Sequence, residues 1–129
     1  VDTSVERKSC SFCGVRGQKG MGLAGGLGAM ICEPCVQHFH ELFGSPERLS
    51  KAARPPWEAM TDAELLSKIP LISANADQVS EFLVEWVELV RERKISWAEI
   101  GKALGISRQA AWERFAPRMS VVTSSASSA

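Results

Sequence analysis

Thiols bind metals or one another, and this chain of 129 residues carries four, in two matched pairs. Cys10 and Cys13 lie in CSFCG, Cys32 and Cys35 in ICEPC, with eighteen residues between the pairs. A disulfide between cysteines only three apart closes a tight ring and holds little of a fold together. A tetrahedral metal ion needs four ligands, and each CxxC turn offers two sulfurs at one point. The separation falls within the spread of roughly fifteen to twenty residues typical of paired-CxxC structural zinc sites. One structural Zn2+ held by Cys10, Cys13, Cys32 and Cys35 is therefore expected. With all four positions filled by protein, no place remains for substrate or activated water. A dithiol redox switch is the competing use of this pattern. The electroneutral, partly apolar surroundings give no sign of activated thiolates.

The residues around the thiols fit a metal site. Gly14 follows the first pair, where a metal-binding knuckle needs a residue tolerant of positive φ. Glu33-Pro34 lies inside the second pair, and proline suits the first turn of a helix. From Cys35 the chain reads CVQHFHELF, with Val36, Phe39 and Phe43 on one helical stripe. Cys35 then sits at a helix N-terminus, whose partial positive charge stabilises an anionic metal–thiolate centre. His38 and His40 are expected as surface positions on that helix. The glycine-rich MGLAGGLGAM lacks the GK[ST] ending of a phosphate-binding loop and reads as a turn-rich connection.

CSFCG, Leu23, Gly26 and the ICxxCV of Ile31–Val36 resemble the N-terminal zinc-binding domain of the ClpX unfoldases. The resemblance covers about residues 8–44 and implies a small treble-clef-like fold of short strands plus a helix. It also implies a tendency to dimerise and to bind peptides or adaptor proteins. No Walker motif occurs in the chain, so only the zinc module carries over.

The second half must be built from helices. Between Asp77 and Arg93, apolar residues at Val79, Phe82, Leu83, Trp86 and Val90 form a helical stripe, read as a core face. Val84, Val87 and Leu89 widen it, through packing on two sides or a dimer contact. In ISWAEIGKALGISRQAAWERF, Ser96-x-x-Glu99 is a capping box. Ile100, Ala103 and Leu104 supply buried positions, and Gly105 ends the helix. After a turn through Ile106, Ser107 caps a second helix over Arg108–Ala116. Gly101 and Ala111 are small where the helices cross. Two short helices joined by a glycine turn form a helix-turn-helix.

This stretch resembles the helix-turn-helix of bacterial transcription regulators and sigma-factor-like proteins. On that resemblance Ser107, Arg108, Gln109, Trp112 and Glu113 face the major groove, and Arg114 belongs to the same DNA-binding set. Arginine bridges guanine O6 and N7, and glutamine pairs with adenine N6 and N7. Ser107 and the helix N-terminus suit a phosphate. Trp112 either meets a thymine methyl or packs; Glu113 either accepts from cytosine N4 or pairs with a nearby base.

The whole chain carries fifteen basic and fifteen acidic residues, so bulk charge cannot drive binding to nucleic acid. From Arg91 to Arg118, seven basic residues against three acidic leave a local net of +4. One copy makes few phosphate contacts, so double-stranded DNA is expected to bind a homodimer. Domains are expected at 8–44 (zinc) and 61–118 (all-α helix-turn-helix), with a linker over 45–60 and a disordered tail over 119–129. Within the linker region Pro55-Pro56 cannot continue a helix and Trp57 is read as a packing anchor. Thr61-x-x-Glu64 caps a short helix over Asp62–Lys68, which Pro70 stops. No apolar run approaches a membrane span, and VDTSVERKSC lacks a signal-peptide core; a soluble, cytoplasmic protein is expected. Nothing assembles a nucleophile with a base, so no enzyme is expected.

These features point to a DNA-binding transcriptional regulator, its zinc module dimerising it or recruiting a protein partner. The alternative is an adaptor for Clp-type proteolysis without DNA binding.

Overall fold

The structure, a computed structural model, describes residues 5–52 and 56–119. It divides into two compact units, with the division between Val79 and Ser80. The tail from Ser120 and Pro55 of the Pro-Pro pair lie outside the described residues.

In the first unit a 3-10 turn, Val5–Arg7, leads into the Cys10–Cys13 knuckle, whose flanks are joined by an antiparallel bridge between Ser9 and Arg16. The glycine-rich segment folds as a hairpin: β1 (Leu23–Gly25) pairs antiparallel with β2 (Met30–Cys32), Leu23 opposite Cys32 and Gly25 opposite Met30. Gly28, at φ +90°, makes the reversal possible. Helix α1 (Glu33–Phe43) follows directly, with Cys32 as its N-cap and a proline in its first turn. Within the stretch expected to connect the two halves, residues form α2 (Pro46–Ala52) and a 3-10 turn, Pro56–Ala59. Trp57 is no packing anchor: it is exposed.

Helix α3 is 31 residues long, Asp62–Glu92, and passes through Pro70. The expectation that Pro70 ends a helix over Asp62–Lys68 is corrected. An interior proline removes one hydrogen bond and clashes with the carbonyl one turn back, at a cost of about 3 kcal/mol. Tertiary contacts of the first unit offset it. The side chain of Leu71 lies against Gly14, and Val79 lies against Gly28. The buried Gln78 amide both accepts from Ser9 N (2.7 Å) and donates to Ser9 O (3.0 Å). The Thr61–Glu64 capping box forms as read, Thr61 Oγ1 accepting from Glu64 N and Glu64 Oε2 from Thr61 N.

The second unit is built on Val84, Val87, Ile100, Ala111 and Phe115. This corrects the core face assigned to α3. Val84 and Val87 are buried and Leu83 and Val90 are half-buried, whereas Val79 and Trp86 are exposed. Lys94, at φ +66°, turns the chain after α3, and Arg91 braces that turn by donating to Ile95 O (2.8 Å) and lying over the Trp97 ring. Helix α4 (Trp97–Leu104) opens on a complete Ser96–Glu99 capping box and ends at Gly105, φ +71°. Its buried residues are Ile100 and Gly101, while Ala103 and Leu104 are exposed, another departure from the sequence reading. Helix α5 (Arg108–Phe115) is capped by Ser107, whose hydroxyl accepts from Ala110 N. Among the described residues no helix is long and apolar enough to cross a membrane.

Candidate metal centre and nucleic-acid interface

The four cysteine sulfurs lie within 4.8 Å of one another. Cys10 Sγ is 3.8 Å from Cys35 Sγ, and Cys13 Sγ is 3.7 Å from Cys32 Sγ. A tetrahedron with metal–sulfur arms of roughly 2.3 Å has edges of about 3.8 Å, whereas a disulfide needs about 2.05 Å. The thiols are free, and the cage fits one tetrahedral ion, consistent with zinc. Among the described residues the cluster consists of these cysteines; His38 and His40 are exposed and outside it.

Local folding brings the sulfurs together. Gly14, at φ +82°, closes the knuckle by donating to Cys10 O, and Cys10 N donates to Val15 O. The hairpin delivers Cys32, and α1 carries Cys35 in its first turn. Ser11, not singled out from sequence, ties the knuckle to β2. Its N–H donates to Met30 O (2.8 Å) and its hydroxyl accepts from Met30 N (3.0 Å). Cys10 and Cys32 are buried, Cys35 is half-buried and Cys13 is exposed.

The protein differentiates the thiols. Burial pushes Cys10 up, but backbone N–H groups, including those of Phe12 and Cys32 at 3.4 Å, pull it down to about 6. The Val15 N–H lowers Cys13, yet burial and the Cys10 and Cys32 sulfurs outweigh it and the thiol ends raised. Burial, reinforced by the other sulfurs, pushes Cys35 well above the ordinary thiol range. A bound dication inverts this pattern, because coordinated sulfur is deprotonated outright.

The stripe on α1 does not make a core. Leu42 is its buried residue, while Val36 and Phe43 are exposed and Phe39 meets the ring of the exposed Phe12 edge-on. Phe12, Val36 and Phe43 thus leave apolar surface on the first unit.

On α5 the structure separates two faces. Ala111 and Phe115 are fully buried, whereas Arg108, Gln109, Trp112, Glu113 and Arg114 are exposed. Trp112 does not enter the core; it is 48% exposed. Gln109 Nε2 donates to Glu113 Oε1 (3.0 Å), which orients the glutamine amide. Arg114 lies over the Phe115 ring, 4.9 Å from its centre. Gly101 is required where α4 meets the start of α5, since a Cβ there would come within 2.8 Å of Ile106 O.

Uncharacterized protein Rv2667 of Mycobacterium tuberculosis is 34% identical over 59 residues, 45% of this chain and 23% of that protein. Uncharacterized protein Mb2686 of Mycobacterium bovis matches with the same identity and coverage. The match thus spans under a quarter of the length of these relatives. No family model and no solved structure matches the chain.

Proposed function

We propose that this protein is a DNA-binding transcriptional regulator whose α4–Gly105–α5 segment is a helix-turn-helix and whose metal is a structural Zn2+ in a treble-clef-like module. The observation that carries the reading is the division of α5. Its inner face is closed by the fully buried Ala111 and Phe115, while Arg108, Gln109, Trp112 and Glu113 stand together in solvent. That set combines a guanine-reading group, an adenine-reading group held by a carboxylate, and an aromatic ring able to meet a thymine methyl. Ser107 and the α5 N-terminus suit a phosphate, and Arg114 adds local charge. The protein acts on double-stranded DNA as a homodimer, because one copy makes few phosphate contacts.

Selection from a randomised duplex pool with zinc-loaded protein tests this. An enriched motif, lost on Arg108→Ala with Gln109→Ala, is expected. Absence of any enriched sequence, with residual binding that vanishes at modest salt, removes the reading.

One observation favours a second reading, the adaptor for Clp-type proteolysis. The exposed Phe12, Val36 and Phe43 of the metal unit suit an apolar protein partner. Titration of the zinc-loaded protein with a purified Clp unfoldase checks it: saturable binding, abolished by Phe12→Ser with Phe43→Ser, is its expected outcome.

A further inference from the structure

The solvent-facing side chains of α5 are not independent of one another. Arg108, Gln109, Trp112 and Glu113 stand at positions i, i+1, i+4 and i+5 of the helix, on one face, and all four are exposed. Within that face Gln109 Nε2 donates to Glu113 Oε1 over 3.0 Å. The fold gives Glu113 no cationic partner: among the described residues no lysine or arginine forms an ion pair with it. That removes the pairing with a nearby base that the sequence left open.

A carboxylate accepts hydrogen bonds and donates none, so Glu113 decides which way round the Gln109 amide sits. The reversed amide would set two acceptor oxygens against each other with no hydrogen between them. With one Nε2 hydrogen engaged, the amide has one N–H and the Oε1 acceptor left to offer. In the major groove adenine presents an acceptor, N7, beside a donor, N6. Guanine presents two acceptors, N7 and O6, while cytosine presents a donor alone and thymine an acceptor and a methyl group. A donor and an acceptor side by side therefore match adenine. An amide free to turn has a second use, because its two Nε2 hydrogens also suit guanine N7 and O6. Glu113 takes one of those hydrogens, which leaves guanine one donor for two acceptors.

Resting on the reading of α5 as the helix that meets DNA, we propose that Glu113 sets base specificity through Gln109. It holds the amide as a reader of adenine and rejects guanine at that position, without itself bonding a base. In the free protein the bond competes with water. In the groove that competition falls, and a carboxylate stripped of its donor there is costly, since phosphate oxygens supply none. Its charge also opposes the phosphates, as one of three acids among seven bases between Arg91 and Arg118. Glu113 thus lowers affinity and raises discrimination, which marks it as a positioning residue.

The test uses the full, zinc-loaded chain. Selection from a randomised duplex pool with wild type and with Gln109→Ala locates the position that Gln109 reads, expected to be adenine. Binding is then measured on the winning duplex and on the three duplexes carrying another base pair there. Wild type should prefer adenine over guanine by about tenfold or more. Glu113→Gln keeps the size of the side chain but both donates and accepts, so it no longer fixes the amide. In that variant the preference should fall to within about threefold, with the winning duplex bound no more weakly and thermal unfolding unchanged. An adenine preference that survives Glu113→Gln, or an equal loss of affinity on all four duplexes, overturns the proposal and leaves the DNA reading standing. An enriched motif in which Gln109→Ala relaxes no position does the same. A pool in which wild type enriches nothing removes the DNA reading and this proposal together.

Discussion

At the scale of single residues the metal centre sets the terms. Metal binding must displace protons from thiols, and Cys13 and Cys35 hold theirs tightly while Cys10 releases its proton near pH 6. Protons therefore compete with the ion, and the competition strengthens as pH falls. Apparent zinc affinity is expected to drop steeply between about pH 7 and pH 5, read by competition with a chromophoric chelator. Ser replacement of Cys10 or Cys32 should weaken zinc binding by orders of magnitude, since three sulfurs leave the fourth position to water. Gln78 makes a separate contribution, because its amide holds both backbone groups of Ser9. Gln78→Ala leaves those half-buried groups without the amide and should cost about 1 kcal/mol in denaturant unfolding, with zinc stoichiometry unchanged.

At the scale of elements, α4 and α5 depend on how they begin and where they meet. The Ser96–Glu99 box satisfies two N-terminal groups of α4, and the same hydrogen bonds from Ser96 hold the Glu99 carboxyl below its usual range. A carboxyl with a depressed folded pKa stabilises the protein above its unfolded value. That contribution is present at neutral pH and is lost as pH falls through the folded value. Ser96→Ala should cost about 1 kcal/mol, whereas Glu99→Gln, which removes the carboxylate that the Ser96 backbone N–H holds, should flatten the acid limb of the stability profile, measured by denaturation at a series of pH values. Gly101 is the tightest point of the helix pair. Gly101→Ala gains helix propensity but drives a methyl group against Ile106 O and Ser107 O. A net loss of about 1–3 kcal/mol is expected in thermal unfolding, because backbone must move.

At the scale of the whole molecule, the two units draw stability from different sources. The first has a four-cysteine cage, a short hairpin and a few hydrogen bonds, and its described buried apolar residues are Cys10, Cys32 and Leu42. The second has a closed core of Val84, Val87, Ile100, Ala111 and Phe115 with no metal ligand in it. Chelation should therefore unfold the first unit selectively, because metal-binding energy is folding energy for so small a core. Far-UV circular dichroism should show partial loss of helix on adding chelator. Proteolysis should then leave a protected fragment starting near Ser80. Loss of all structure at once would mean that the second core cannot stand alone.

What the sequence determined by itself is what depends on neighbours along the chain. Two CxxC turns place pairs of sulfurs, Gly14 and Gly105 adopt positive φ, and Ser96, Ser107 and Thr61 cap helices through bonds spanning a few residues. None of these needs a distant partner, so they were legible one segment at a time. Which apolar residues face inward was not, because a helix with apolar residues on several sides offers several inner faces. Only packing against α4 and α5 chose Val84 and Val87 over Val79 and Trp86. Pro70 was read as a stop because local chemistry disfavours it, and contacts from Gly14, Ser9 and Gly28 carried the helix past it. Gln78 gave no signal at all, since an amide that clamps the backbone of a residue 69 positions away resembles any surface glutamine. Long-range contacts assign free energies of a few kcal/mol to particular residues, and that assignment exists only once the chain has folded.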